Sequence, residues 1–194
     1  MGKYVNYIDY LNYLFAYFRK QFTEKSRTIV FFFILMLFPS VDTKMFFGFL
    51  IILFSLISDI RHKRIDLLTF LPFTRKMIYW FEFLFLMFLV FLSSMVSLPF
   101  YDKLSSGFAD LLFVMIFIAG YYGLIIILSM LGMDGVAAGF IVFVIDKMLS
   151  SFSAFKYYSF ISPSAQGNKL AALIFAAVVL YFGQVMFEKK GGER

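Results

Sequence analysis

The sequence predicts an all-α polytopic membrane protein with six transmembrane helices, an amphipathic interfacial helix before them, and both termini in the cytoplasm. Composition is the first observation behind this prediction: of 194 residues, 62% are hydrophobic and only 15% carry charge. Soluble domains are about half apolar and about a quarter charged, so a soluble chain of this length could not bury so much apolar surface. The other two observations are long apolar runs separated by short polar breaks and an uneven distribution of Lys and Arg.

Residues 4–24 predict an amphipathic helix in the plane of the membrane interface. Polar residues such as Asp9 and Arg19 interrupt its hydrophobicity too often for a span, and its tyrosines favour the headgroup region. We therefore assign residues 1–27 to this helix and a cytoplasmic N-terminus. Spacings of three or four place its apolar residues on one side, which comprises Tyr4, Ile8, Leu11, Phe15, Phe18 and Phe22.

The next two apolar runs, 28–41 and 45–58, are each shorter than the roughly 20 residues that a span usually needs. They form either two short spans joined by a tight outer turn or one long broken helix. The broken helix would carry the basic N-terminal segment across the membrane, against the positive-inside rule. We therefore predict two spans, with Pro39, Asp42 and Lys44 between them.

Four further apolar runs complete a single six-span domain over residues 28–187, and residues 188–194 form a cytoplasmic tail. Gly135 and Gly139, near the start of the fifth span, are small residues suited to close helix packing. The four spans are 77–100, 108–131, 136–152 and 170–187.

The basic residues favour this orientation, because 13 of the 18 Lys and Arg fall on the proposed inner side. We therefore expect a protein of the cell membrane. The net charge of +6 is attributed to this bias and to contact with anionic headgroups, not to nucleic acid. The inner set is Lys3, Arg19, Lys20, Lys25, Arg27, Arg61, Lys63, Arg64, Arg75, Lys76, Lys189, Lys190 and Arg194, and the outer set is Lys44, Lys103, Lys147, Lys156 and Lys169.

Motifs for catalysis or cofactor binding do not occur in the sequence. The chain has no cysteine, and its single histidine, His62, cannot build a metal cluster. It lacks G-x-S-x-G, H-E-x-x-H and the phosphate-binding G-x-x-x-x-G-K-[ST]. We therefore predict no catalytic residue, no metal site and no cofactor in this chain, so that any energy for transport comes from another polypeptide or an ion gradient.

Three acidic residues within or bordering the spans are candidate intramembrane polar sites, since ionisable groups in a membrane are functional candidates by default. Glu82 lies in the inner part of the third span and is expected to pair with Lys76 or with a basic residue of the neighbouring segment. Asp110 starts the fourth span, and Asp146 lies late in the fifth. Asp146 and Lys147 point about 100° apart and are not expected to pair. Positions near the span ends favour structural roles over a proton relay.

Residues 59–76, between the second and third spans, form a basic, proline-interrupted cytoplasmic loop. Its apolar positions recur every three residues, which predicts a short amphipathic helix. Pro72 ends this helix because the residue before a proline is pushed out of the helical region, and Thr74 can cap the span that follows. Such an element can convert movement of a cytoplasmic partner into tilting of membrane helices; an ordinary loop that only fixes topology is the alternative. The apolar positions are Ile65, Leu68 and Leu71.

The stretch "DLLTFLPFTRKMIYW", residues 66–80, resembles the inner loop of the membrane subunits of type-2 ABC transporters, which are mostly exporters. In that family the loop reads LL-x-x-LP-hydrophobic-[ST]-R and leads into a span. The helix at 4–24 is similar to the family's N-terminal elbow helix, and Ser162-Pro163 to a pair often found before the last span. The loop residues that match in order are Leu67, Leu68, Leu71, Pro72, Thr74 and Arg75.

The resemblance implies a permease subunit that works as a homo- or heterodimer on two ATPase subunits, which would bind ATP and Mg²⁺. In this family the inner-loop helix docks into a groove of the ATPase, and ATP binding switches a cavity between the permeases from inward to outward facing. The apolar spans suit a hydrophobic or amphipathic cargo such as a lipid, drug or peptide. Carried onto this sequence, the docking surface is Asp66, Leu67, Leu68, Leu71, Pro72, Thr74, Arg75 and Lys76.

Two rival functions remain open from the sequence. An ion-coupled secondary transporter or channel would act without ATP and would depend on Glu82 or Asp146. A membrane-embedded enzyme or assembly factor would require a clustered set of His, Asp or Glu, which the sequence does not show.

Overall fold

A computed structural model describes residues 7–61, 73–152 and 156–190, and every regular element within these ranges is helical. The predicted all-α class is therefore confirmed for this part of the chain. A short 3-10 turn, Leu98–Phe100, follows the fifth helix. The helices are α1 (Tyr7–Glu24), α2 (Ser26–Met36), α3 (Val41–Phe54), α4 (Leu56–Arg61), α5 (Arg75–Ser97), α6 (Leu104–Met130), α7 (Gly135–Ser151), α8 (Lys156–Ile161) and α9 (Lys169–Lys190).

Four helical segments in the described ranges are long and apolar enough to cross a membrane. The predicted spans 28–41 and 136–152 correspond to α2 and α7, which have 11 and 17 residues. At a rise of about 1.5 Å per residue, α2 is only about 16 Å long, against about 30 Å of bilayer hydrocarbon. The four segments are Val41–Ile60, Arg75–Phe100, Leu104–Met130 and Lys169–Lys190.

The first two apolar runs fold as a helical hairpin. The Phe32 ring of α2 stacks on Phe47, with centroids 6.1 Å apart, and on Phe54, at 5.7 Å. One ring can contact both positions of α3 only if α2 folds back along it. The turn is tighter than the sequence suggests, because α3 begins at Val41. Lys44, predicted to lie between spans, is therefore inside α3 and is buried.

Helix α5 runs antiparallel to both α3 and α9, which gives the bundle two distinct ends. At one end Trp80, near the start of α5, donates its indole N–H to Gln184, near the finish of α9, at 3.1 Å. At the other end the Lys44 ammonium of α3 donates to the Ser97 hydroxyl in the last turn of α5. We call these the Arg75 end and the Lys169 end.

Helix α6 occupies the centre of the bundle, in contact with α3, α4, α5, α7 and α9. It lies so close to α9 that a Cβ on Gly123 would stand 2.8 Å from the Leu180 nitrogen and the Val179 carbonyl. The Tyr79 hydroxyl of α5 reinforces this contact by donating to the Leu180 carbonyl at 2.7 Å. Small residues allow such backbone approach between membrane helices.

The two glycines that the sequence marks for close packing of α7 do lie against other helices. A Cβ on Gly139 would stand 2.8 Å from the Leu53 methyl Cδ2, and one on Gly135 would overlap the Ser129 hydroxyl. Asp134 caps this helix by accepting from the Val136 amide at 3.0 Å. The start of α7 is therefore fixed by a cap and by side chains of neighbouring helices that pack against its two glycines.

Large apolar side chains cover the outside of the bundle. Phe31 of α2, Ile141 of α7 and Ile174 of α9 are each more than half exposed, and similar residues occur on α5. Water would penalise this surface by about 25 cal/mol for every Å², whereas lipid would not. The exposed pattern therefore fits the multi-pass membrane protein that the composition predicts.

We expect Gly123→Ala to lower the melting temperature of the detergent-purified protein. The helix-propensity gain of about 1 kcal/mol is outweighed because backbone atoms of α9 must move, and overpacking costs about 1–3 kcal/mol. Ala137→Val, which adds two methyl groups on an exposed position of α7, is the control and should melt close to the parent. An unchanged or higher melting temperature for Gly123→Ala contradicts the close α6–α9 approach.

Candidate functional site: two buried carboxylates

The predicted docking surface falls largely outside the described residues, since Asp66, Leu67, Leu68, Leu71 and Pro72 all lie in the range 62–72. Three of its members are described, at the start of α5. Thr74 caps that helix as the sequence predicts, because its hydroxyl oxygen accepts from the Met77 amide at 3.2 Å. Arg75 is partly exposed and Lys76 is exposed, so both side chains are accessible from the Arg75 end.

Glu82 lies immediately behind this surface, fully buried one to two turns into α5. Its Oε2 accepts from the Tyr17 hydroxyl at 2.7 Å and from the Gln21 amide at 2.7 Å. Its Oε1 accepts from the Ser55 hydroxyl. Tyr17 and Gln21 belong to α1, and Ser55 separates α3 from α4. One carboxylate therefore joins three parts of the chain.

A buried ion pair adjoins this carboxylate. The Lys25 ammonium, between α1 and α2, lies 2.8 Å from the Asp59 carboxylate of α4. The same ammonium donates to the Ser55 carbonyl at 2.8 Å, and Ser55 in turn donates to Glu82. The helix immediately before segment 62–72 is thus connected to the helix immediately after it through buried polar groups. We call Tyr17, Gln21, Lys25, Ser55, Asp59 and Glu82 the Glu82 cluster.

Aromatic rings enclose the Glu82 cluster. Tyr17 packs against Phe73 and Phe81, with centroids 6.2 Å and 5.9 Å away, and Phe18 packs edge-on against Phe85 at 5.1 Å. Burial raises the pKa of the Tyr17 phenol well above its usual range, and the charge and hydrogen bond of Glu82 raise this pKa further. The phenol therefore stays protonated and able to donate.

The partners of Glu82 differ from the sequence expectation. The sequence predicts a pair with Lys76 or with a basic residue of the neighbouring segment, whereas the hydrogen-bond donors to Glu82 within the described ranges are the neutral groups of Tyr17, Gln21 and Ser55. The sequence gives only a weak signal for these donors, because Tyr17 and Gln21 are four residues apart and share a side of α1 that adjoins the predicted apolar side. The predicted apolar side is itself not uniformly buried, since its Phe15 is 69% exposed.

Asp146 forms the second buried carboxylate, near the Lys169 end of α7. Its Oδ2 accepts from the Tyr121 hydroxyl of α6 at 2.6 Å. Its Oδ1 accepts from the Tyr158 hydroxyl of α8 at 2.6 Å and from the Ser162 hydroxyl at 2.7 Å. The neighbouring Lys147 points elsewhere and pairs with Asp42 at 3.0 Å, so the two adjacent charges have separate partners.

Asp146 fixes the segment that leads into α9. Ser162, bound to the carboxylate, also accepts from the amides of Ser164 and Ala165 at 3.2 Å. Gln166, at a φ of 46°, donates from its side chain to the Phe113 carbonyl of α6 at 2.7 Å. Burial raises the pKa of the Tyr158 phenol, and its hydrogen bond to Asp146 and the charge there raise this pKa further. The Ser162-Pro163 turn is therefore held against the bundle by buried polar contacts.

Asp110, the third predicted acidic position, is half-buried in the second turn of α6. The turn before α6 brings Tyr101 close to it. Desolvation and the Asp110 carboxylate raise the pKa of Tyr101 to about 12. The Tyr101 ring also lies 5.6 Å from the buried Lys44 ammonium. Asp110 thus belongs to a local polar group with Tyr101 and Lys44 at the Lys169 end.

No protein family, curated protein or solved structure matches this chain when it is compared with them. Within residues 7–61, 73–152 and 156–190, no three His, Asp or Glu side chains lie together in a way that could hold a metal ion. The two buried carboxylates, and the loop motif next to one of them, are the features of the chain that bear on its function.

We expect Glu82→Ala to loosen α1 from the bundle, because three buried donors lose their acceptor and each unsatisfied group costs about 1–3 kcal/mol. Trypsin should cut after Lys20 and Lys25 faster than in the parent, and the melting temperature should fall. Glu82→Gln should be intermediate, since its amide keeps one acceptor oxygen. Glu188→Ala, at an exposed site on α9, is the control. Equal cleavage in Glu82→Ala and the control contradicts the anchoring role.

We expect a double-mutant cycle to couple Asp146 with Tyr158 by about 1.5–3 kcal/mol, the range for a hydrogen bond to a charged group. The variants are Asp146→Asn, Tyr158→Phe and their combination, compared by the free energy of unfolding. Tyr157 is 86% exposed, so the cycle of Asp146→Asn with Tyr157→Phe is the control and should give no coupling. Equal coupling in both cycles argues against a specific Tyr158 contact.

Proposed function

We propose that the chain is the membrane subunit of an ATP-driven, exporter-like type-2 ABC transporter, working as a homo- or heterodimer on separate ATPase subunits. Two observations support the proposal. The loop motif at 66–76 resembles that family's ATPase-docking segment. The Glu82 cluster connects the helices on both sides of that loop and ties them to α1.

The Glu82 cluster supplies the stiffness that a coupling role requires. A push on the loop acts on α4, which holds Asp59, and on α5, which begins at the Thr74 cap. Because Lys25, Ser55 and Glu82 link these helices through buried contacts, they move together with α1. Each buried hydrogen bond to a charged group costs about 1.5–3 kcal/mol to break. A force on the loop therefore displaces the connected helices together.

The proposed topology has six spans with both termini in the cytoplasm of a cell-membrane protein. Four of the proposed spans are the long apolar segments, and the other two are α2 and α7. These two shorter helices reach the interfaces by snorkelling of flanking side chains and by local bilayer thinning. Lys25 and Arg27 lie at the start of α2 at the Arg75 end, where most of the basic residues in the described ranges are found. The Arg75 end is then the cytoplasmic end, where the ATPases bind ATP and Mg²⁺, and α1 is the interfacial elbow helix.

The cargo class follows from the spans. Their exposed residues are almost entirely apolar and aromatic, as on α9 and α5. A pathway built between two such subunits suits a hydrophobic or amphipathic molecule, such as a peptide, drug or lipid. Charged solutes would lose hydration without compensation.

An ion-coupled carrier is the second candidate function, and the observation that favours it is the burial of Glu82 and Asp146 within the apolar bundle. Both carboxylates accept three hydrogen bonds each, which accounts for them structurally. Transport in sealed vesicles separates the candidates: a carrier works on a proton or sodium gradient alone, and the proposed permease requires ATP and an ATPase.

We expect the combined substitution Leu68→Asp and Leu71→Asp to abolish co-purification with the partner ABC ATPase, because it places two charges on the proposed docking surface. The matched control, Phe100→Asp and Leu104→Asp, places two charges on exposed apolar positions at the Lys169 end and should retain the ATPase. Membrane yield of both variants is compared first. Undiminished association of the loop variant, at equal yield, overturns the docking surface.

A further inference from the structure

A lateral cavity of about 500 Å³ lies between α5, α6 and α9, and neither buried carboxylate is among its lining residues. Only apolar atoms line it. Three of its wall residues, Leu112, Leu170 and Leu173, are about half exposed or more, so the cavity opens sideways onto the lipid-facing surface. Its floor is formed by the small side chains of Ala119 and Ala176. The cavity exists because these alanines leave space between helices that pack closely at Gly123, further along α6.

The length of the cavity matches one leaflet of a bilayer. Along α9 it extends from Lys169 to Leu180, which is about 16 Å at a rise of about 1.5 Å per residue. Half of the hydrocarbon thickness is about 15 Å. A membrane helix of a second protein would run through both leaflets and would need a groove about twice as long. The dimensions therefore favour a single hydrocarbon chain over a partner helix.

Charge at the mouth of the cavity identifies the headgroup. The aliphatic stem of Lys169 forms the end of the lining, and the residue is exposed at the first position of α9. Among the described residues Lys169 takes part in no ion pair. A lysine in this position covers apolar surface with its stem and presents its ammonium at headgroup depth. An anionic phosphate above an apolar slot is the complementary ligand.

We propose that this cavity binds one acyl chain of a phospholipid whose phosphate pairs with the Lys169 ammonium. The acyl chain lies along α9, with Leu173 and Ala177 on one side and Phe83 and Met87 of α5 on the other. The site belongs to the leaflet at the Lys169 end. It holds whether or not the chain works with an ATPase, because it depends only on the cavity and on the charge at its mouth.

The test is photo-cross-linking of the full chain in phosphatidylcholine nanodiscs that contain a small fraction of phosphatidylglycerol with a diazirine near the middle of one acyl chain. Cross-linked peptides are then mapped by mass spectrometry. We expect labelling concentrated on cavity residues such as Ala119, Leu173 and Ala177. Labelling spread evenly over exposed positions, including Ile141 and Phe31 on other faces, shows ordinary annular lipid and overturns the site.

Variants separate the cavity from the rest of the surface. Ala177→Trp fills the opening and should reduce cavity labelling several-fold, and Met87→Trp fills it from α5 with the same result. Val178→Trp, on the adjacent but lipid-facing position of α9, is the matched control and should leave labelling unchanged. Retained labelling in both filling variants, with parental melting temperatures, overturns the proposal.

The charge is tested by competition. Unlabelled phosphatidylglycerol should compete better than diacylglycerol, which has the chains without the phosphate, and Lys169→Gln should reduce that preference by about fivefold, the effect of one basic side chain near anionic headgroups. Lys103→Gln, which removes an exposed charge at the same end, should not reduce it. Cross-links between two copies of the chain at this cavity, or equal preference in parent and Lys169→Gln, overturn the phospholipid assignment.

Discussion

A carboxylate enclosed by an apolar helix bundle determines how the Arg75 end is built. A buried charge is costly unless hydrogen bonds or an opposite charge compensate it. Glu82 obtains its compensation from Tyr17 and Gln21 of α1 and from Ser55 at the break between α3 and α4. The position of α1 is therefore set by directed polar contacts as well as by the rings around Phe81. The break in the helix at Ser55 belongs to the same arrangement, because the Ser55 carbonyl accepts from Lys25.

At the Lys169 end, a second buried carboxylate is also compensated by hydrogen bonds. Asp146 is compensated by three hydroxyl groups, and two of them come from the segment that follows α7. In each case a buried acid holds an element at the edge of the bundle, namely α1 at one end and α8 with the Ser162 turn at the other. The middle of the bundle depends instead on close packing, most clearly where Gly123 of α6 meets the backbone of α9.

The sequence predicts the helices well where hydrophobicity alone decides them. The run beginning at residue 77 corresponds to α5, and the run beginning at 108 to α6, although the helices start at Arg75 and Leu104. Their first turns contain polar and small residues that a hydrophobic pattern does not detect, and the Thr74 cap is the local signal that marks one of them. The predicted helix boundaries are less accurate still in the α2–α3 hairpin. There α3 includes Lys44, because the ammonium of this residue reaches the Ser97 hydroxyl.

Partners of the buried acids could not be derived from the sequence. Glu82 and Asp146 stand out as charges in apolar runs, and both are buried. Their donors, however, lie 65, 61 and 27 residues from Glu82 and 25, 12 and 16 residues from Asp146. Tyrosine and serine are common in this chain, and only the packing of α1, α6 and α8 selects which of them donate. The charges nearest to Glu82 along the sequence instead favour Lys76 or a basic residue of the neighbouring segment as its partner.

The α5–α9 contact has a practical consequence for following this protein in solution. Trp80 is the only tryptophan in the sequence, and its indole lies between Tyr79 and Phe83 with its N–H on Gln184. Emission excited selectively from tryptophan therefore originates at one junction, without any added label. Its wavelength and anisotropy register separation of these two helices directly, in detergent or in lipid.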